Sequence, residues 1–95
     1  MLRVQFSGTL REVAGCAEAT ASLPASRALG DLLAELEARF PGVLGNSAEL
    51  QWRHGSSHVM VAVNGKLALD GGAIAGGQLL QDGDVVTIMA PLGGG

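Results

Sequence analysis

The sequence predicts an α+β fold, a mixed β-sheet with one main helix packed on one face. Three observations carry that expectation. Near the start, Leu2, Val4 and Phe6 alternate with Arg3, Gln5 and Ser7, the period of two that marks a half-buried strand. In the middle, Leu29, Leu32, Leu33, Leu36 and Phe40 recur at helical spacing. After that helix, His58 to Val63 and Val85 to Met89 are short apolar runs of β-branched character. Strands, then one helix, then more strands place the helix as a single layer on one face of the sheet.

Each element has a local chemical reason. Ser7-Gly8 breaks the first strand, and Leu10 to Gly15 reads as a turn or a single helical turn. Glu18 to Leu23 is a second strand, weakened by alanines of poor β-propensity, and its closeness to the first favours an antiparallel hairpin. Pro24 ends it, and Ser26 is the expected N-cap of the helix. Gly30 costs the helix up to about 1 kcal/mol relative to alanine. Burying each leucine returns about 1.5–3 kcal/mol, so the helix survives. Pro41-Gly42 terminates it.

Val43 to Ala48 reads as another short helical turn or none, and Glu49 to His54 alternates only weakly before Gly55-Ser56-Ser57. Val59 to Val63 is apolar on both faces and therefore central. Asn64-Gly65 is a strong two-residue hairpin signal leading to a short strand near Lys66 to Leu69. Asp70 to Gly77 is glycine-rich and expected to be irregular, and Asp82-Gly83-Asp84 turns the chain into the last strand. Within that strand Val86 and Ile88 are expected beneath the helix, with Val85, Thr87 and Met89 on the other face.

Composition narrows the function. With 95 residues the chain is long enough to bury about two thirds of its unfolded surface without disulfides or metal. The single cysteine, Cys16, fits a reducing, cytoplasmic setting. A net charge of −3 argues against nucleic acid, which wants a basic patch. No stretch approaches the ~18 apolar residues of a membrane span, and the first residues lack the pattern of a signal peptide.

The end of the chain is the expected working part. Pro91 cannot donate to a sheet ladder, so pairing should stop near Ala90. Beyond Pro91 stand Leu92 and then Gly93, Gly94 and Gly95. Glycines present no side chain and accept most backbone angles, so this tail suits a narrow slot in another protein. The expected division is a folded domain over 1–90 and a flexible tail over 91–95. Alone, a glycine tail is as often a frayed terminus. Attached to a proline-stopped last strand in this element order, it points to function.

With these elements in place, the chain resembles the ubiquitin-like sulfur-carrier family, which includes the small subunit of molybdopterin synthase, the thiazole-pathway carrier and the small archaeal modifiers. The matching residues are Phe6 with Leu10-Arg11-Glu12 and Gly15; Leu32-Leu33 with Leu36 and Phe40-Pro41-Gly42; Val61 to Gly65; and Leu80, Asp82 to Val86 and Pro91 to Gly95. Where members often carry two prolines and a valine before the diglycine, this chain has Ala90, Pro91 and Leu92. The working diglycine is then Gly94-Gly95. The resemblance implies a ubiquitin-like β-grasp with the first and last strands parallel at the centre. It further implies that the Gly95 carboxylate is adenylated by a ubiquitin-activating-type enzyme using Mg·ATP and converted to a thiocarboxylate. Sulfur would then pass to a biosynthetic acceptor synthase, whose pathway stays open. The alternative is a protein modifier whose activated Gly95 is captured by target lysines; a third reading is an interaction module with an idle tail. Gly93 and Gly94 would thread the slot, while Met89, Pro91 and Leu92 would meet the partner. The chain itself would be no enzyme and would bind no cofactor or metal.

Other sites carry less. Cys16 has no neighbouring His or Lys in sequence and reads as an incidental thiol. His54 and His58 straddle a turn but lack a third metal ligand. Asp82-Gly83-Asp84 lacks the further ligands of a calcium loop, and the pairs Gly71-Gly72 and Gly76-Gly77 open no phosphate-binding helix. Trp52 could anchor a partner but more often covers a loop.

Overall fold

The computed structural model describes residues 1–8, 10–41, 43, 60–70 and 73–89. The chain runs β1 (Leu2–Phe6), α1 (Leu10–Ala14), β2 (Glu18–Ala21), α2 (Leu29–Arg39), β3 (Met60–Val63), β4 (Lys66–Leu67), β5 (Leu69–Asp70), β6 (Ala73–Ile74) and β7 (Val85–Met89). Five strands form one mixed sheet in the order β2-β1-β7-β3-β4, and β5 and β6 pair separately. β1 is antiparallel to β2 and parallel to β7, and β7 is antiparallel to β3. The expected mixed sheet with its parallel central pair is therefore present.

The alternation in β1 does what the pattern requires: Leu2, Val4 and Phe6 are buried, and Arg3 between them is exposed. From α2, Leu29, Leu32, Leu33 and Leu36 are fully buried in one cluster with Val4, Val61, Val86 and Ile88 of the sheet. Leu80, Ile74 and Val43 complete that core, and the Phe6 and Phe40 rings meet edge to face at 5.3 Å. Arg39 ties the far end of α2 to the sheet edge by donating to the Thr20 carbonyl at 2.9 Å.

The start of α2 corrects one expectation. Ser26 is not its N-cap; that position is Ala28, which makes no side-chain cap. The Ser26 hydroxyl instead accepts from the Ala28 N–H at 3.1 Å and donates to the Asp31 carboxylate. The first helical donors, Leu29 and Gly30, give their N–H groups to the carbonyls of Gln78 and Gly76 at 2.9 and 2.8 Å. Backbone from a distant loop thus satisfies the groups that a capping side chain normally would. Gly30 lies buried at that junction.

A second correction concerns Asp70 to Gly77, expected to be irregular. Leu69 pairs with Ile74 and Asp70 with Ala73, a two-residue hairpin whose turn, residues 71–72, lies outside the described residues. Strands of two residues are too short to show a period in sequence. The Asn64-Gly65 turn forms as expected: Asn64 has φ 52° and Gly65 φ 85°, the left-handed pair that a type I′ hairpin demands. The Glu49 to Ser57 stretch, with Trp52 and His54, lies outside the described residues, as does His58.

Candidate functional site: the central strand and its open face

β7 is the middle strand of the sheet and the one that leads to the tail. It pairs with β1 over Val85 to Ile88 and with β3 over Val86 to Met89. On the β1 side, the Arg3 N–H donates to the Asp84 carbonyl at 3.0 Å and the Ser7 N–H to the Ile88 carbonyl at 3.1 Å. On the β3 side the register runs from Val63 opposite Val86 to Met60 opposite Met89. Val86 and Ile88 are fully buried beneath α2, as the alternation requires. The chain is thus held fast up to Met89. Residues 90–95, with Pro91, Leu92, Gly93, Gly94 and Gly95, lie outside the described residues.

The start of β7 is clamped by one side chain. The Asn64 amide donates to Asp84 Oδ1 at 2.9 Å, and its carbonyl oxygen accepts the Val85 N–H at 2.9 Å. The Gln81 N–H reaches the other Asp84 oxygen at 2.8 Å. The Asn64 amide first, then the Gln81 N–H, hold the Asp84 carboxyl below its ordinary pKa, because both donors favour its ionised form. The Met1 amino group is paired with Asp82 beside this clamp. Gly83, at φ 91°, lets the chain turn there.

The face of the sheet away from α2 has two halves. Toward β2 it is polar: Arg3 Nε donates to Glu18 Oε1 at 2.7 Å, and Thr87 donates to Gln5 Oε1 at 3.3 Å. Toward β4 it is apolar: Met89 stands beside Met60, with Ala62 and then Leu67 next across the strands. Leu67 is 47% exposed, and Met60 and Met89 are half-buried. Met89 was legible in sequence as a residue of this face. Met60 was not, because only the antiparallel register sets the two methionines side by side.

Beside the C-terminal end of β1, a notch of about 320 Å³ is lined by Gln5, Ser7, Arg11, Glu18 and Thr87. Arg11 donates there to the Phe6 carbonyl at 3.3 Å. β1 and β7 are parallel, so this notch lies at the end of the sheet from which the tail departs. Cys16 is half-buried and packs against the core. Among the described residues no cluster of three or more metal-ligating side chains occurs, and no helix is long and apolar enough to cross a membrane.

This architecture matches a known family. The model of the ThiS family matches residues 4–95. The chain belongs to the ThiS family. It is 35% identical over 96 residues to small archaeal modifier protein 3 of Haloferax volcanii, covering 99% of this chain and 98% of that relative. The crystal structure of SAMP1 from Haloferax volcanii superposes with a TM-score of 0.74 at 24% identity, over 99% of this chain and 98% of the other. That of CysO from Mycobacterium tuberculosis gives 0.67 at 27% identity, over 95% and 98%. The expected ubiquitin-like β-grasp is therefore the fold, and this ThiS-family chain is a ubiquitin-like small modifier or sulfur carrier. Proteins of this kind are small carriers rather than catalysts.

Proposed function

We propose that this ThiS-family protein carries sulfur on its terminal carboxyl group, at Gly95. The observation that supports this most is the anchoring of β7, paired with β1 through Ile88 and with β3 through Met89 and continued in sequence by Pro91, Leu92 and three glycines. A rigid handle with a slender, side-chain-free end suits delivery of a carboxylate into a partner's deep site. There a carboxylate oxygen attacks the α-phosphate of ATP and pyrophosphate leaves, with Mg²⁺ balancing the phosphate charge. A carboxylate is a poor electrophile because attack must expel an oxide, whereas the acyl-adenylate offers AMP as a leaving group. A hydrosulfide-level donor attacks the carbonyl carbon, AMP departs, and the thiocarboxylate remains. The partner is a ubiquitin-activating-type adenylating enzyme, and the sulfur passes on to an acceptor synthase.

On this reading Gly93 and Gly94 thread the slot, while Met89, Pro91 and Leu92 meet the wall around it. ATP and magnesium belong to the partner. Met60, Met89 and Leu67 supply the apolar docking half of the open face. A second reading is favoured by the name of the 35%-identical relative: the same activated Gly95 is captured by a lysine amine of a target protein. Intact mass spectrometry after incubation with the adenylating enzyme, Mg·ATP and sulfide tests the two. Exchange of one oxygen for sulfur at Gly95 supports the carrier, and isopeptide products alone support the modifier. No change with an enzyme proven active on its own carrier overturns both.

A further inference from the structure

We propose that the outer edge of β4 docks an extended segment of a partner protein, acidic and apolar in alternation, which adds to the five-stranded sheet as one more strand. Such docking is independent of the activation of Gly95. The edge opens on a groove of about 460 Å³ lined by Lys66, Leu67, Gln78, Leu79, Gln81 and Asp84. Both walls of this groove carry unused backbone. In the β3–β4 hairpin Ala62 stands opposite Leu67, and the Ala68 N–H donates to the Val61 carbonyl at 2.8 Å. Ladder bonds in an antiparallel pair alternate from residue to residue, so the Leu67 N–H and C=O are turned away from β3. On the other wall, Leu79 bridges to Ala28. That bridge is closed by the Leu29 N–H on the Gln78 carbonyl at 2.9 Å and the Leu80 N–H on the Arg27 carbonyl at 2.7 Å. The Leu79 N–H and C=O are thereby turned away from Ala28. Among the described residues neither leucine's backbone takes a hydrogen-bond partner.

The same two leucines are 47% and 68% exposed, so side chain and backbone are uncovered together. Free main-chain groups beside apolar side chains are what an added strand uses, the first for affinity and the second for choice of partner. Charge selects the occupant. Lys66 is exposed, makes no ion pair among the described residues, and is the one cation lining the groove. Asp84, the one acid, already accepts from the Asn64 amide and the Gln81 N–H. A second copy would bring its own Lys66 to this edge, and a lysine on a two-residue edge strand guards against such pairing. An acidic strand is drawn to the same lysine. Lys66 stands opposite Val63, whose side chain is in the core under α2, whereas Leu67 stands opposite Ala62 on the open side. An alternating segment therefore sets its apolar side chains along Leu67 and its carboxylates along Lys66. The Gln78 and Gln81 amides supply further donors to those carboxylates. Lys66 lies in the row of Val86, three residues before Met89, so an added strand leaves Met60 and Met89 uncovered.

The test is a titration of the isotope-labelled full chain with a capped peptide of alternating valine and glutamate, followed by amide NMR shifts and hydrogen exchange. Saturable shifts at Leu67 and Leu79 are expected, with slowed exchange of the Leu67 N–H. A peptide of alternating valine and lysine should bind about tenfold more weakly, a ~1.4 kcal/mol difference, and Lys66→Glu should reverse that order. Leu67→Pro removes the outward donor at a position where an edge strand tolerates proline, and should weaken the acidic peptide about tenfold with the fold retained. If Leu67→Pro does not fold, Leu79→Ser on the opposite wall replaces it, with the same loss expected. No saturable shift in the parent overturns the proposal, as do shifts centred on β2, the other edge of the sheet. Equal binding of the two peptides, or an unaltered order in Lys66→Glu, overturns it as well. Protection of the Leu67 N–H without peptide, rising with protein concentration, overturns it in favour of a second copy.

Discussion

β7 is built differently at its two ends. At its start, Asn64 and Asp84 engage each other and the neighbouring backbone through directional polar contacts, and the Met1 amino group closes on Asp82 alongside. At its other end, the last described pair is Met89 beside Met60, two flexible apolar side chains on the open face. One end uses hydrogen bonds, which fix a single register. The other presents thioethers, which adapt to whatever packs on them. On the proposed function, fixing and docking are separate tasks, and β7 assigns one to each end.

The largest effect expected separates the strand from what it carries. Deleting Gly94 and Gly95 should abolish pyrophosphate release by the adenylating enzyme, with thermal stability within about 0.5 kcal/mol of the parent, since no described core contact is touched. Loss of folding in this variant would mean that the tail belongs to the domain. Next, Ile88→Ala removes a fully buried side chain from the handle and should cost about 2–5 kcal/mol in denaturant unfolding. A smaller cost would show that α2 closes onto the gap.

At the fixed end, Asn64→Ala should cost about 1–3 kcal/mol, because it leaves the Val85 N–H and one Asp84 oxygen without this partner and puts alanine at φ 52°. The same contact sets a pH dependence. The folded-state pKa of Asp84 lies below its unfolded value, so its contribution is complete above the unfolded value of about 3.9. It is lost as pH falls through the folded value. Unfolding measured down this acid range should show a shallower loss in Asn64→Ala than in the parent. At the docking end, Met89→Ser should leave stability nearly unchanged and raise the KM for the adenylating enzyme about tenfold, or ~1.4 kcal/mol. An equal change from Glu18→Ser, on the polar half, would erase the distinction between the halves.

Much of this was legible in the residues. The β1 alternation, the leucine spacing of α2 and the Asn64-Gly65 turn are local signals, and each element formed where its signal lies. The parallel pairing of β1 with β7 was not local; it came from resemblance to a fold, because nothing in either strand's pattern names its partner. Ser26 misled because the helix donors it was expected to satisfy are met by the 76–78 loop, which sequence proximity cannot reveal. Met60 escaped notice because the strand around it is apolar on both faces, and only cross-strand register distinguishes the open face from the core. The tail is an expectation from composition alone, a proline stop and three glycines, and it lies outside the described residues.

The order of the sheet has a consequence for the newborn chain. β7 separates the β1–β2 hairpin from the β3–β4 hairpin, and it is synthesised after both. A ribosome that stalls before Val85 leaves two hairpins with no strand between them, and isolated hairpins are marginal in water. Such a fragment has no assembled open face. On the proposed function, synthesis therefore permits docking only once the strand that leads to Gly95 has been made.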